Sequence, residues 1–168
     1  PEPLGVLPNL YRFEIPTPFP VGPVNVYVVR DPEGDRLTLV DCGPRTSEAR
    51  AALDAGLAAL GHSVPDIRRI IVTHAPADHY GLAASIAAES GAQVLTHPFN
   101  RPTLQASTDE SERRLLFYAD LLRASGVPDQ LIHTIDNVRR GIGDYADAVH
   151  VTGDLNDGDT LALAGRTW

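Results

Sequence analysis

A layered α/β fold is what this sequence predicts, and three observations carry the prediction. Apolar and polar residues alternate with period two in early segments, apolar residues recur at helical spacing in later ones, and the two kinds of segment interleave. The resulting order is strand, strand, helix, strand, helix, strand, which covers at least part of a sheet with helices. With 168 residues, 43% hydrophobic and 21% charged, the chain is long enough for one domain with a real core.

The first strand is "GPVNVYVVRD", where Val24, Val26 and Val28 alternate with Asn25, Tyr27 and Val29 and give one buried face. After the turn "DPEGD", the segment "RLTLVDCG" makes a second strand from Leu37, Leu39 and Val40, ending at Asp41. The pair forms a hairpin. "TSEARAALDAGLAALG" sets Ala49, Leu53, Leu57 and Leu60 on one helical stripe, with Thr46 or Ser47 as N-cap, Glu48 in the first turn and Gly61 as the stop. "IRRIIVTH" returns as a strand with the buried run Ile70, Ile71, Val72 and ends in His74. "HYGLAASIAAESG" is a helix ending at Gly91, and "AQVLTH" is another short strand.

From Pro98 to Ala148 the pattern is helical alone, with Leu115, Ala119 and Leu122 on one stripe and Ile132, Ile135 and Val138 on another. An excursion of this length within a strand series is expected to be a functional cover, residues 98–147, rather than a simple connection. Phe117, Tyr118 and Leu121 either wall a pocket from that cover or pack their helix onto its neighbour. The chain finishes with two short strand-like pieces around "NDGD".

Charge and cysteine content exclude several function classes. A net charge of −8, with no run of lysine or arginine, argues against nucleic acid as a partner, because a phosphate backbone requires a concentrated basic surface. No segment approaches the roughly 18 apolar residues of a membrane helix, and the Pro-rich start lacks the blocks of a signal peptide. A soluble cytoplasmic protein with no membrane partner is the expectation. Cys42 is the only cysteine, so an internal disulfide is ruled out, and its place after a strand-ending aspartate suits packing better than nucleophilic catalysis.

The chemistry concentrates in "RIIVTHAPADHYGLA". A strand delivers His74 to the carboxyl edge of a sheet, where open α/β folds keep their ligand sites, and Asp78 and His79 follow at the start of the next helix. Small Ala75 and Ala77 let the loop turn tightly, and imidazoles with a carboxylate suit zinc, iron or manganese. The plain alternative is a strand-to-helix connection in which Asp78 caps the helix. Asp41 likewise could end its strand in a turn. His97 is read as an ordinary strand exit, and His62, His133 and His150 as surface or turn residues.

The spacing resembles the H-x-H-x-D-H signature of the metallo-β-lactamase superfamily. The resemblance extends to "TLVDCG", to "PVGPVNVYVV" and to "NDGDTLALAG", in the family's order and over most of the chain. It implies a single partial domain over 1–168, the N-terminal portion of a four-layer αββα sandwich, completed by a missing C-terminal half or a complementary chain. It makes His74 a ligand of a first metal position, Asp78 and His79 ligands of a second, and Asp41 a supporting residue beneath the site. Pro76 stands where the family has its second histidine and has neither a donor side chain nor an N–H, which weakens the first position.

The implied activity is hydrolysis of a small-molecule ester, thioester or lactone-like substrate through a metal-activated water, with Asp78 orienting the nucleophile or accepting its proton. Zinc is the first choice of ion, one or two per site, with iron or manganese next. Two alternatives stay open: a catalytically reduced member that binds a ligand or partner, and an iron-dependent sulfur dioxygenase-like member. Oligomerisation is left open by the sequence.

Overall fold

Val24, Val26 and Val28 do turn to one side, and the side they turn to is the main core. In the computed structural model, which describes residues 3–31 and 36–168, they belong to β3 (Val24–Arg30). This strand pairs antiparallel with β4 (Leu37–Val40), so the expected hairpin is present; residues 32–35 of its turn lie outside the described ones. Two strands that the sequence reading passed over precede it, β1 (Leu4–Leu7) and β2 (Leu10–Ile15). Their signal was available in "LYRFEI", where Tyr11, Phe13 and Ile15 alternate with Leu10, Arg12 and Glu14; Phe13 and Ile15 are fully buried.

The sheet continues with β5 (Ile67–Val72), β6 (Gln93–Thr96) and the two-residue β7 (Gly153–Asp154), seven strands in chain order. β1 to β4 are antiparallel neighbours and β4 to β7 are parallel. Parallel pairing needs crossovers, and helices supply them. The first is α1 (Ser47–Ala59), capped by Thr46, whose hydroxyl accepts from the Ala49 N–H at 3.0 Å. Its stripe of Ala49, Leu53 and Leu57 is fully buried, Gly56 admits the Phe13 ring against the helix, and Gly61 closes the end at φ +79.

The second crossover departs from expectation. Instead of one helix there is a single turn, α2 (Ala77–Tyr80), and then α3 (Ala83–Ser90). Hydrogen bonding gives the reason: the Leu82 N–H bonds the Gly43 carbonyl at 3.1 Å, and the His79 carbonyl accepts the Cys42 N–H at 2.8 Å. The backbone at the break thus serves the loop after β4 rather than a continuous helix. α1 and α3 share one core, with Leu53, Leu57, Ile70, Ile86 and Val94 all fully buried, each contributing about 1.5–3 kcal/mol.

Between β6 and β7 lie α4 (Arg101–Leu104), α5 (Thr108–Ala124) and α6 (Asp129–Gly143). Leu115, Ala119, Leu122, Ile132 and Ile135 face one another between α5 and α6. Val138, expected on that stripe, is instead 58% exposed, because the contact is completed by Asp136 and Arg139 on the neighbouring helical positions. Phe117 and Leu121 are also exposed and do neither of the jobs expected of them, while Tyr118 lines both the helix contact and a cleft. The helices are tied to the sheet layer by fully buried Leu104, whose carbonyl accepts the Val149 N–H, and by the Arg45 to Asp147 ion pair.

The "DTLALAGRTW" segment makes a separate hairpin, β8 (Ala162–Leu163) with β9 (Arg166–Thr167), turning at Ala164 and Gly165. No helix among the described residues is long and apolar enough to cross a membrane.

Candidate metal centre

Asp41 is the point from which the site is built. It leaves β4 with φ +60, a left-handed conformation uncommon for a non-glycine residue, and Gly43 follows at φ +83. This sharp return buries the Asp41 carboxylate, 5% exposed, beneath the loop that follows β5. Its Oδ1 accepts the Thr73 N–H at 2.9 Å, and its Oδ2 accepts the Thr73 hydroxyl at 2.8 Å and His79 Nδ1 at 2.8 Å. Both oxygens are thereby committed.

These bonds decide how the two histidines are presented. Thr73 has one hydroxyl proton and gives it to a carboxylate that can only accept, so its Oγ1 must accept from His74 Nδ1, 2.9 Å away. His79 Nδ1 must likewise donate to Asp41. In its neutral form each imidazole is set as the Nδ1–H tautomer by a single carboxylate, one directly and one through Thr73, which leaves Nε2 as the acceptor. Their rings lie 3.9 Å apart between centroids, tilted by 49°.

One donor atom each from Asp41, His74 and His79 falls within 4.8 Å of the others. The expected trio was His74, Asp78 and His79. Asp78 shares α2 with His79 but lies outside this tight group; its Oδ2 stands 3.6 Å from His79 Nε2. That separation fits a shared cation: with bonds of about 2.0–2.2 Å, two donors on one tetrahedral ion stand roughly 3.3–3.6 Å apart. Asp41, with its oxygens occupied and buried, has the geometry of an orienting carboxylate. The pair His79 Nε2 and Asp78 Oδ2 thus fits a common cation, and the His74 ring lies beside it, 3.9 Å from that of His79.

Helix capping does not account for Asp78. The N-cap of α2 is Pro76, which makes no side-chain cap bond, and Asp78 is the second helical residue. Pro76 adds no donor and instead lines the adjoining cleft. His97 is exposed at the same sheet edge, where its Nδ1 accepts the Phe99 N–H, outside the cluster. His133 and His150 are exposed, and His62 pairs with Asp66 at 3.4 Å. Two residues of the site were not singled out from the sequence: Thr73, and Asn100, whose amide donates to Thr96 Oγ1 at 2.9 Å and to the Thr73 carbonyl at 3.4 Å. Thr73 could have been found as the hydroxyl residue directly before His74; Asn100 is joined to the site only by the fold.

Cys42, next to the anchor, is fully buried, and burial reinforced by the Asp41 charge pushes its thiol well above the ordinary range. Its thiol points at the His79 carbonyl at 3.4 Å. It is a packing residue, as its position suggested.

A mixed sheet covered by helices, with histidines and carboxylates gathered at the carboxyl edge of its parallel half, defines a class of α/β proteins built around an edge site. Comparison makes the family specific. Residues 19–161 match the model of the metallo-beta-lactamase superfamily, and the chain belongs to that superfamily. It is 41% identical over 120 residues to a probable metallo-hydrolase, YqjP, of Bacillus subtilis (strain 168), a match covering 71% of this chain and 36% of that protein. Among solved structures it is similar to the metallo-beta-lactamase family protein TTHA1429 of Thermus thermophilus, with TM-score 0.74, 29% identity, and coverage of 97% of this chain and 51% of that one. A metallo-beta-lactamase of Cronobacter sakazakii characterised by a HARLDQ motif shares the fold at TM-score 0.64 and 20% identity, over 99% of this chain and 52% of that one. The chain spans about a third of the length of the curated relative it matches and about half that of these solved structures.

Proposed function

We propose that the full-length protein is a metal-dependent hydrolase acting on a small ester, thioester or lactone-like substrate. The observation that carries this reading is the pair of imidazoles held as Nδ1–H tautomers by Asp41, directly and through Thr73, with both Nε2 atoms left as acceptors. Membership of the superfamily and the likeness to a probable metallo-hydrolase support it.

In this reading His74, His79 and Asp78 hold the cation, zinc before iron or manganese given imidazole and carboxylate donors. A bound ion of this kind supplies Lewis acidity toward a carbonyl oxygen and lowers the pKa of water. Asp41 and Thr73 keep the two rings from turning, which holds each acceptor nitrogen in a fixed direction. Asp78 Oδ2, beside His79 Nε2, is the group placed to orient an attacking water and take its proton. The test is turnover by metal-loaded full-length protein on a panel of thioesters, esters and lactones, with His79→Ala as the control. Rates that survive both metal removal and His79→Ala would sink the reading.

A second reading is favoured by one observation. Pro76 stands between His74 and Asp78, faces the cleft and offers no donor, so the site has one imidazole fewer than the family signature. A catalytically reduced protein that binds a ligand without turnover follows from that loss. Pro76→His should then raise both bound metal and activity; fast turnover by the unaltered protein contradicts this second reading.

A further inference from the structure

A cleft of about 1040 Å³ lies between the motif loop and the α5–α6 pair, a volume that suits a small-molecule ligand. Ala75, Pro76 and Tyr80 form its floor, so it opens directly beside the residues that flank Asp78 and His79. Four arginines line it, and their commitments differ. Arg45 pairs with Asp147 at 3.4 Å and donates to the Asp144 carbonyl. Arg140 is held between Glu112 and Asp136.

Arg114 and Arg139 make no ion pair among the described residues, in a chain whose net charge is −8. Arg114 is braced by neutral acceptors, Thr103 Oγ1 at 2.7 Å and the Pro102 carbonyl, which leave N–H donors of its guanidinium unused. Arg139 lies over the Tyr118 ring, 3.9 Å from its centroid, which fixes its plane without neutralising it. Four arginines against Glu112, Asp144 and Asp147 leave the lining with an excess of one positive charge. Arg114 and Tyr80 of the motif helix line the same cleft.

We infer that this cleft takes a small acyl compound bearing a phosphate or carboxylate. Arg114 and Arg139 hold the anionic group through their planar N–H forks, and the ester or thioester end extends past Pro76 toward Asp78 and His79. The inference rests on the hydrolase reading for the reacting end alone; the anion site stands on the arginines.

The experiment is calorimetric titration of the full-length protein, metal-free and zinc-loaded, with phenyl phosphate, benzoate and neutral benzyl alcohol. In the metal-free protein an anion should bind about tenfold or more tighter than benzyl alcohol, as expected for charge-assisted bonds. Arg114→Gln/Arg139→Gln should remove that preference, Arg113→Gln outside the cleft should not, and Arg114→Lys/Arg139→Lys should restore part of it. Whichever aromatic anion binds tighter assigns phosphate or carboxylate. Equal binding of all three probes, binding that ignores the double Gln variant, or anion binding only in the presence of zinc would each overturn the inference. A circular dichroism melt checks folding, and the Lys variant keeps the test open if the Gln variant unfolds. Arginine-dependent anion binding without any hydrolysis would refute the hydrolase reading and leave the site; hydrolysis without it would do the reverse.

Discussion

Replacing Thr73 by valine removes one oxygen from the end of β5 while keeping the β-branched shape, and so cuts the link between Asp41 and His74 at nearly constant volume. Two hydrogen bonds disappear, Thr73 Oγ1 to Asp41 at 2.8 Å and His74 Nδ1 to Thr73 Oγ1 at 2.9 Å, while the Thr73 N–H bond to Asp41 remains. A bond to a carboxylate contributes about 1.5–3 kcal/mol and a neutral one about 1 kcal/mol; with Thr73 and His74 exposed, water recovers part of both, leaving a loss of about 1–2 kcal/mol. The larger effect falls on metal affinity. Without its partner the His74 ring is free to rotate and to change tautomer, and loss of such an orienting group costs about 10–100-fold. His79 keeps its bond to Asp41, so binding weakens without vanishing. Competition with a chromophoric chelator measures the affinity, and long-range nitrogen–proton correlation spectra report the tautomers. The expected result is a weakening within that range, with His74 losing its Nδ1–H signature and His79 retaining it. Affinity within about twofold of the unaltered protein, with the His74 tautomer unchanged, would refute the reasoning.

Other consequences follow from packing and burial. A methyl at Gly81 would meet the Tyr145 carbonyl, the Arg45 nitrogen at 2.5 Å and the Ala77 carbonyl at 2.6 Å, all backbone, so Gly81→Ala should cost about 1–3 kcal/mol or more and lower Tm by several degrees. An unchanged melt contradicts the packing described. Cys42 should resist iodoacetamide in the folded protein and react once it is unfolded, since burial keeps the thiol protonated. Because its folded pKa is raised, the folded state holds this proton longer, and stability should fall as pH rises above the ordinary thiol value of 9.0. A Cys42→Ala protein with the same alkaline decline would assign that decline elsewhere.

Much of this architecture was legible because local and long-range signals agree. The alternation at Val24, Val26 and Val28 and the stripe at Ala49, Leu53 and Leu57 are periodic and buried on one side, so the chemistry of each segment matches its place in the fold. The two-strand start was passed over although Phe13 and Ile15 carry its buried face, the Pro-rich segment having been weighed only for the blocks of a signal peptide. The break at Gly81 and Leu82 was hidden for a different reason. It depends on hydrogen bonds to Cys42 and Gly43, some forty residues away, and no local propensity encodes those. The same holds for the centre: spacing brought His74, Asp78 and His79 together on one loop, whereas the roles of Thr73 and Asn100 appear only when β4, β5 and β6 stand side by side. Val138 shows the limit of periodicity, which locates a stripe but not the width of the partner that covers it.

The central claim is that His74, Asp78 and His79 hold a metal ion whose imidazole ligands are aimed by Asp41. Elemental analysis of purified full-length protein beside His74→Ala/His79→Ala tests it most directly. The account predicts bound zinc, iron or manganese in the unaltered protein and loss of that metal from the double variant. Metal absent from both, or retained equally by both, would contradict it.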